Sequence, residues 1–360
     1  MTQARSRIVP AGSVWVHAIH RCVRKAWLCG HGKAWLCGHG KDHRRQWVED
    51  RLAEVSRAFA CEVAAYAVMS NHLHVVVRMR AELTASWSAA EMVARWCSVF
   101  GKSLPRLADG SIDPGLLRSL EQQSGWVAER RSRLADLSWL MRAVAEDIAR
   151  RANREDECTG RFWEGRFTSV PLLDDAALVA CMAYVDLNPV RARLCDRPER
   201  SRHTAVRQRI GARQRQRARV RLLAEAATPA AGAQAVAEAK LGDAVREDSG
   251  CWVAPVAACT TEARSAAPRW SLDDYLTLVD ATGRVLRAGK RGQIPAELAP
   301  LLARLDVELA QWLAAMRGWR SFIGRAVCAF RTRLARAQEL GQRWIRNRCP
   351  LFAGEIRAVA

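Results

Sequence analysis

No apolar run in this chain approaches the roughly 18 residues that a membrane-spanning helix needs, so no span is expected. The first ten residues, Met-Thr-Gln-Ala-Arg-Ser-Arg-Ile-Val-Pro, lack an apolar signal core, which argues against export and for the cytoplasm. Twelve cysteines are present, but no two have Cys-x-x-Cys spacing, so neither a zinc knuckle nor a redox pair is expected. We read them as reduced thiols, mostly small core residues. No Gly-x-x-x-x-Gly-Lys-Ser/Thr loop occurs, so nucleotide-driven chemistry is not expected. Tyrosine is scarce: Tyr66, Tyr184 and Tyr275 are the whole supply. Acidic residues are outnumbered, 37 Asp+Glu against 57 Lys+Arg, for a formal net charge of +20. That imbalance predicts a polyanionic partner, and nucleic acid is the default.

What the chain does have is arginine, whose planar fork suits phosphates and base edges. The bias peaks between Arg197 and Arg221, where arginine recurs in near alternation from Arg213 onward. The bland reading is a solvated basic segment written by arginine-rich codons. The excess over the whole chain favours DNA or RNA contact instead.

With 360 residues there is room for two domains. Residues 10–200 alternate strand and helix signals, 201–268 read as a basic and then Ala-rich linker, and 269–360 read as a basic helical C-terminal domain. In that last part apolar residues recur at helical spacing, as in Leu309, Trp312 and Leu313, or Phe322, Ile323 and Val327. A DNA-binding helix pair would carry a recognition signature; a plain helical bundle fits better. Lys25–Gly32 is repeated without change at Lys33–Gly40, bringing Cys29, His31, Cys37 and His39 close in sequence. That resembles a zinc cluster superficially. A duplication that lengthens a surface turn is the simpler account, since long loop insertions cost little stability.

Within residues 10–200, Val14–Val23 reads as a strand with Trp15, His17, Ile19 and Arg21 on one face. Arg44–Phe59 reads as an amphipathic helix, Cys61–Met69 and His72–Arg78 as strands, and Ala89–Phe100 as a second helix. A helix follows at Leu134–Asn153, then Arg161–Phe167 alternates like an edge strand. A last helix starts at Asp174–Asp175 and must stop near Pro189. This order gives an α+β fold, a ferredoxin-like split βαβ antiparallel sheet carrying the catalytic part, followed by the helical C-terminal domain.

His72 and His74 are two apart on a strand, so both imidazoles project from one face, half of a divalent-metal site. Eight histidines give a chance His-x-His in roughly one chain in six, so the pair needs partners. The last helix offers them. Tyr184 and Asn188 are four apart and share a helical face. A tyrosine hydroxyl can attack a phosphodiester, a metal on the histidines would polarise the scissile phosphate, and the amide oxygen of Asn188 could complete the site. Such mixed nitrogen and oxygen ligands suit Mg²⁺ or Mn²⁺. The bland readings are a capped core tyrosine and a helix-stop asparagine before proline.

Three stretches carry a resemblance. They are Ala-Tyr-Ala-Val-Met-Ser-Asn-His-Leu-His-Val-Val-Val-Arg (residues 65–78), Gly-Arg-Phe-Trp-Glu-Gly-Arg-Phe (160–167) and Ala-Tyr-Val-Asp-Leu-Asn-Pro-Val-Arg-Ala (183–192). In this order they resemble the IS200-like single-tyrosine transposases, within them the REP-associated tyrosine transposases, which are HUH endonucleases. The resemblance implies a ferredoxin-like domain acting on single-stranded or hairpin DNA, with a divalent metal and a 5′-phosphotyrosine intermediate. It implies His72 and His74 as the metal pair, Tyr184 as nucleophile and Asn188 as the polar ligand. Arg161, Arg166, Arg191 and Arg193, in or beside these motifs, and Arg21 on the first strand are the candidate DNA contacts. A homodimer is a candidate assembly, and the bacterial nucleoid the expected location.

Three readings compete: a DNA transposase or strand-transferase using Tyr184; a replication or conjugation nickase; and a non-catalytic nucleic-acid binder on the same scaffold. The nickases typically carry a third clustered histidine or a helicase segment, and neither is visible in the sequence.

Overall fold

The computed structural model describes residues 14–23, 41–226, 251–259, 270–286, 308–319 and 338. The duplicated Lys25–Gly40 segment, most of the Ala-rich stretch and the apolar repeats beyond residue 319 lie outside the described residues.

Four strands form one antiparallel sheet: β1 (Trp15–Arg21), β2 (Cys61–Val68), β3 (His72–Met79) and β4 (Thr168–Leu172), in the order β2-β3-β1-β4. The chain is therefore a mixed α+β protein. Helix α1 (His43–Ala58) joins β1 to β2, and α2 (Ala89–Phe100), α3 (Pro114–Glu121), α4 (Ser124–Leu134) and α5 (Leu137–Glu155) lie between β3 and β4. After β4 come α6 (Asp175–Asp186), α7 (Asn188–Arg191), α8 (Ala205–Ala226), α9 (Val256–Cys259), α10 (Leu272–Leu286) and α11 (Leu309–Gly318). No described helix is long and apolar enough to cross a membrane.

The two faces of the sheet are built differently. α1 packs along α5, with the buried Arg51 donating to the Ala143 carbonyl at 3.1 Å. His20 points to that side and stacks on Trp163, whose indole donates to Ala145 of α5. The alternate residues His17 and His74 face α6 instead. α6 is apolar all round, and every residue from Ala176 to Asp186 is buried, as expected of a helix enclosed on all sides. Its start is the acidic one expected: the Asp174 carboxylate caps the Ala177 amide at 2.8 Å. It ends at Leu187 because Pro189 has no N–H to continue the ladder.

One expected strand is absent. Arg161–Phe167 makes a single bridge, Cys22 to Trp163, while the ladder partner of β1 is Thr168–Leu172. Phe162 and Trp163 are buried, and the indole bond to Ala145 pins this segment by its side chains. The true edge strand contains Pro171, tolerated because an edge strand has one unpaired side.

Glu49 on α1 ties three elements together. Its carboxylate accepts from Tyr66 of β2 at 2.7 Å and Gln208 of α8 at 2.8 Å, and meets His203 at 2.6 Å. Burial alone would raise this carboxyl; the bonds from His203, Tyr66 and Gln208 outweigh it and hold it below the usual glutamate range. A depressed folded value means the stabilisation is present above the unfolded value and is lost as pH falls through the folded one. Glu49→Gln should therefore lower stability at pH 7 by about 1–3 kcal/mol and flatten the acid limb of the stability profile, as read by urea unfolding across pH. A variant with the wild-type acid limb would contradict the assignment.

Candidate active site

β1 and β3 pair antiparallel with Ile19 opposite His74 and His17 opposite Val76. Alternation sends His17, Ile19, His72 and His74 to one face, the face that α6 crosses. There the His72 and His74 rings lie 4.7 Å apart, and the Tyr184 ring lies 5.9 Å from His74 and 6.3 Å from His17. The His72 Nδ1 is 2.6 Å from the Asn71 side-chain oxygen. His72, His74 and Tyr184, chosen from the sequence, thus meet in space.

A third histidine joins them. His17, fully buried, places its Nε2 2.9 Å from the His74 Nδ1. The expectation that no third histidine clusters with the pair is therefore corrected. His17 stands 55 positions before His72 in the chain, and only the β1–β3 register brings it in. Burial, and then the charge of His72, pull its pKa down to about 3, so the ring is neutral.

Tyr184 is only 2% exposed. The Arg191 guanidinium covers one side of its ring at 4.7 Å, and Trp319, just beyond α11, stacks on it at 5.4 Å. The Trp319 indole also donates to His17 Nδ1 at 3.4 Å, and Arg191 donates to the Arg317 carbonyl at 3.4 Å. The other two tyrosines have different work. Tyr66 donates to Glu49, and Tyr275 of α10 donates to Asp186 at 2.5 Å. Burial, with those carboxylates adjacent, pushes both phenols well above their usual range. Tyr184 is the one phenol beside the histidines.

Asn188 opens α7 rather than continuing α6, and its side-chain nitrogen is buried with no hydrogen-bond partner among the described residues. Arg191 Nη1 is likewise buried and unpartnered there. Among the described residues, no three His, Cys, Asp or Glu side chains are grouped as a metal site. Arg21, Arg161, Arg166 and Arg193 are exposed. Arg21 and Arg166 line one cavity of about 250 Å³ with Glu164 and Thr168, at the end of β1 and β4. Arg191 departs from that surface set, being held against Tyr184.

The sequence matches no family model and none of the curated proteins compared with it. Among solved structures, the chain is similar to that of a REP-associated tyrosine transposase bound to a REP hairpin, at 13% identity, with a TM-score of 0.34, covering 58% of this chain and 86% of that one.

Phe162 is 3% and Trp163 9% exposed, so they belong to the core. Trp163→Ala should destabilise the fold by about 3–5 kcal/mol in thermal or urea unfolding. Loss of DNA affinity with unchanged stability would instead assign the Trp163 indole to stacking on DNA bases.

Proposed function

We propose that this chain cleaves and rejoins single-stranded DNA through a phosphotyrosine link at Tyr184, on a ferredoxin-like catalytic domain. The observation that carries this reading is the meeting of Tyr184 with His74 and His72, rings 5.9 and 4.7 Å apart along the series, on one sheet face. The strand order β2-β3-β1-β4 with antiparallel neighbours supports the fold, because split βαβ units interleave in that way. The motif resemblance and the net charge of +20 support the substrate class.

His72, His74 and the amide oxygen of Asn188 would hold a divalent ion, Mg²⁺ or Mn²⁺. The buried, unpartnered amide of Asn188 fits that donor set, because a half-turn of a carboxamide exchanges its nitrogen for its oxygen. Bound there, the ion would polarise the scissile phosphate and offset charge on the leaving oxygen. The Tyr184 phenol attacks phosphorus in line. The tyrosyl oxygen–phosphorus bond forms as the bond from phosphorus to the 3′ oxygen breaks; the phenolic proton is lost and the 3′ oxygen leaves as a hydroxyl. Attack by the 3′ hydroxyl of another end reverses the step, so joining needs no nucleotide. Arg191, 4.7 Å from the ring with Nη1 unpartnered, is placed to steady the phenolate or a phosphate oxygen. Arg21, Arg161, Arg166 and Arg193 would track the backbone. Since Tyr184 is 2% exposed, the strand reaches it only when Trp319 withdraws.

A replication or conjugation nickase shares this chemistry, and His17 is the observation that favours it. A non-catalytic binder would need none of the Tyr184 geometry.

Single-stranded DNA from the flanks of the gene, incubated with the protein and Mn²⁺, should give a covalent adduct on a denaturing gel. Tyr184→Phe should abolish it with folding intact. His72→Ala or His74→Ala should slow cleavage at least about a hundredfold while DNA affinity changes little, because phosphate contacts dominate binding. Full-rate cleavage in EDTA would contradict the metal, and an adduct formed by the Phe variant would contradict the nucleophile.

A further inference from the structure

We propose that His17 is a positioning residue that sets which nitrogen of His74 carries the proton, and that Trp319 holds it in the state that withholds His74 from a metal. The inference rests on the metal reading above and concerns its regulation. It follows from donor bookkeeping along two contacts. The Trp319 indole N–H can only donate, and it lies 3.4 Å from His17 Nδ1. His17 Nδ1 must then be bare, and a neutral His17 carries its proton on Nε2. That N–H faces His74 Nδ1 at 2.9 Å, a contact too close for two protons. His74 Nδ1 is therefore the acceptor, and the one proton of His74 sits on Nε2.

In this state neither nitrogen of His74 offers a metal a lone pair. Nδ1 spends its pair on His17, and Nε2 bears hydrogen. A metal-bound histidine commonly has the reverse pattern, ligating through one nitrogen and donating an N–H from the other to a second partner. Reversal is available without new residues. If Trp319 leaves, His17 can carry its proton on Nδ1 and present a bare Nε2. His74 then donates from Nδ1, and its Nε2 is open. The indole that stacks on Tyr184 at 5.4 Å is the same group that fixes the tautomers, so one movement would uncover the nucleophile and arm the metal ligand.

Trp319→Phe separates the two effects, since phenylalanine keeps a ring over Tyr184 but has no N–H. Mn²⁺ uptake, titrated by electron paramagnetic resonance of the free ion, should be about tenfold tighter in Trp319→Phe than in the wild-type chain, the worth of a buried hydrogen bond. The gain should vanish when His72→Ala is added. Independently, ¹⁵N spectra of histidine-labelled wild-type protein should show His17 and His74 both protonated at Nε2. Wild-type affinity in Trp319→Phe with a gain only in Trp319→Ala would mean a purely steric cover and would overturn the proposal. So would a wild-type His17 protonated at Nδ1. Absence of Mn²⁺ uptake in every variant, with the tautomers as assigned, would overturn the metal reading of the site while supporting the tautomer assignment.

Discussion

Antiparallel pairing of β1 with β3 sets Ile19 opposite His74 and Arg21 opposite His72, and every feature of the candidate site hangs on that register. Because side chains alternate along a strand, a slip of one residue would turn His17 toward the α5 side and bring Val16 or Ala18 to its place. The observed register instead stacks His17 on His74, centroids 5.1 Å apart, beneath the helix that brings Tyr184. Three imidazoles are buried or half-buried there at the cost of their hydration. Contacts to one another, to Asn71 and to Trp319 offset it.

The helix bearing Tyr184 is held from behind by a buried carboxylate. Asp186 accepts from the Val206 amide at 3.0 Å and from Tyr275, and lies 3.8 Å from Arg209. Burial pushes its carboxyl up to about 6 against the opposing pull of Arg209 and those hydrogen bonds. Arg209 in turn donates to the carbonyls of Ala64 and Ala254, at 2.5 and 2.8 Å. Tyr184 and Asp186 thus link one helix to opposite neighbours: the histidine face of the sheet, and the helices α8 and α10. Trp312 of α11 donates to Thr282 of α10 at 3.0 Å, so the residue that covers Tyr184 is carried by a helix pair anchored at Asp186. Trp319 and Tyr184 are thus joined both by their ring contact and through the α11–α10–α6 contacts.

Much of this was legible in the residues. Three of the four strands, β1, β2 and β3, followed from periodicity, and α2 ends where its apolar spacing ends, at Phe100. The shared strand face of His72 and His74 followed from their spacing, whereas Tyr184 and Asn188, expected on one helix, lie on α6 and at the start of α7. His17 escaped because a lone histidine between Val16 and Ala18 carries no local signal; its partner is supplied by strand pairing alone. Trp319 escaped for the same reason at greater range, 135 positions beyond Tyr184. The edge strand was misplaced because Arg161–Phe167 is pinned by the adjacent buried side chains of Phe162 and Trp163 and not by a ladder, while Pro171 masked the real strand.

The central claim is that Tyr184 bears the DNA. Mass spectrometry of peptides from a reaction with single-stranded DNA and Mn²⁺ locates the nucleotide directly. The account predicts it on the peptide that contains Tyr184, with a free 3′ hydroxyl on the released strand. Nucleotide on Tyr66 or Tyr275, whose phenols are committed to Glu49 and Asp186, would contradict it.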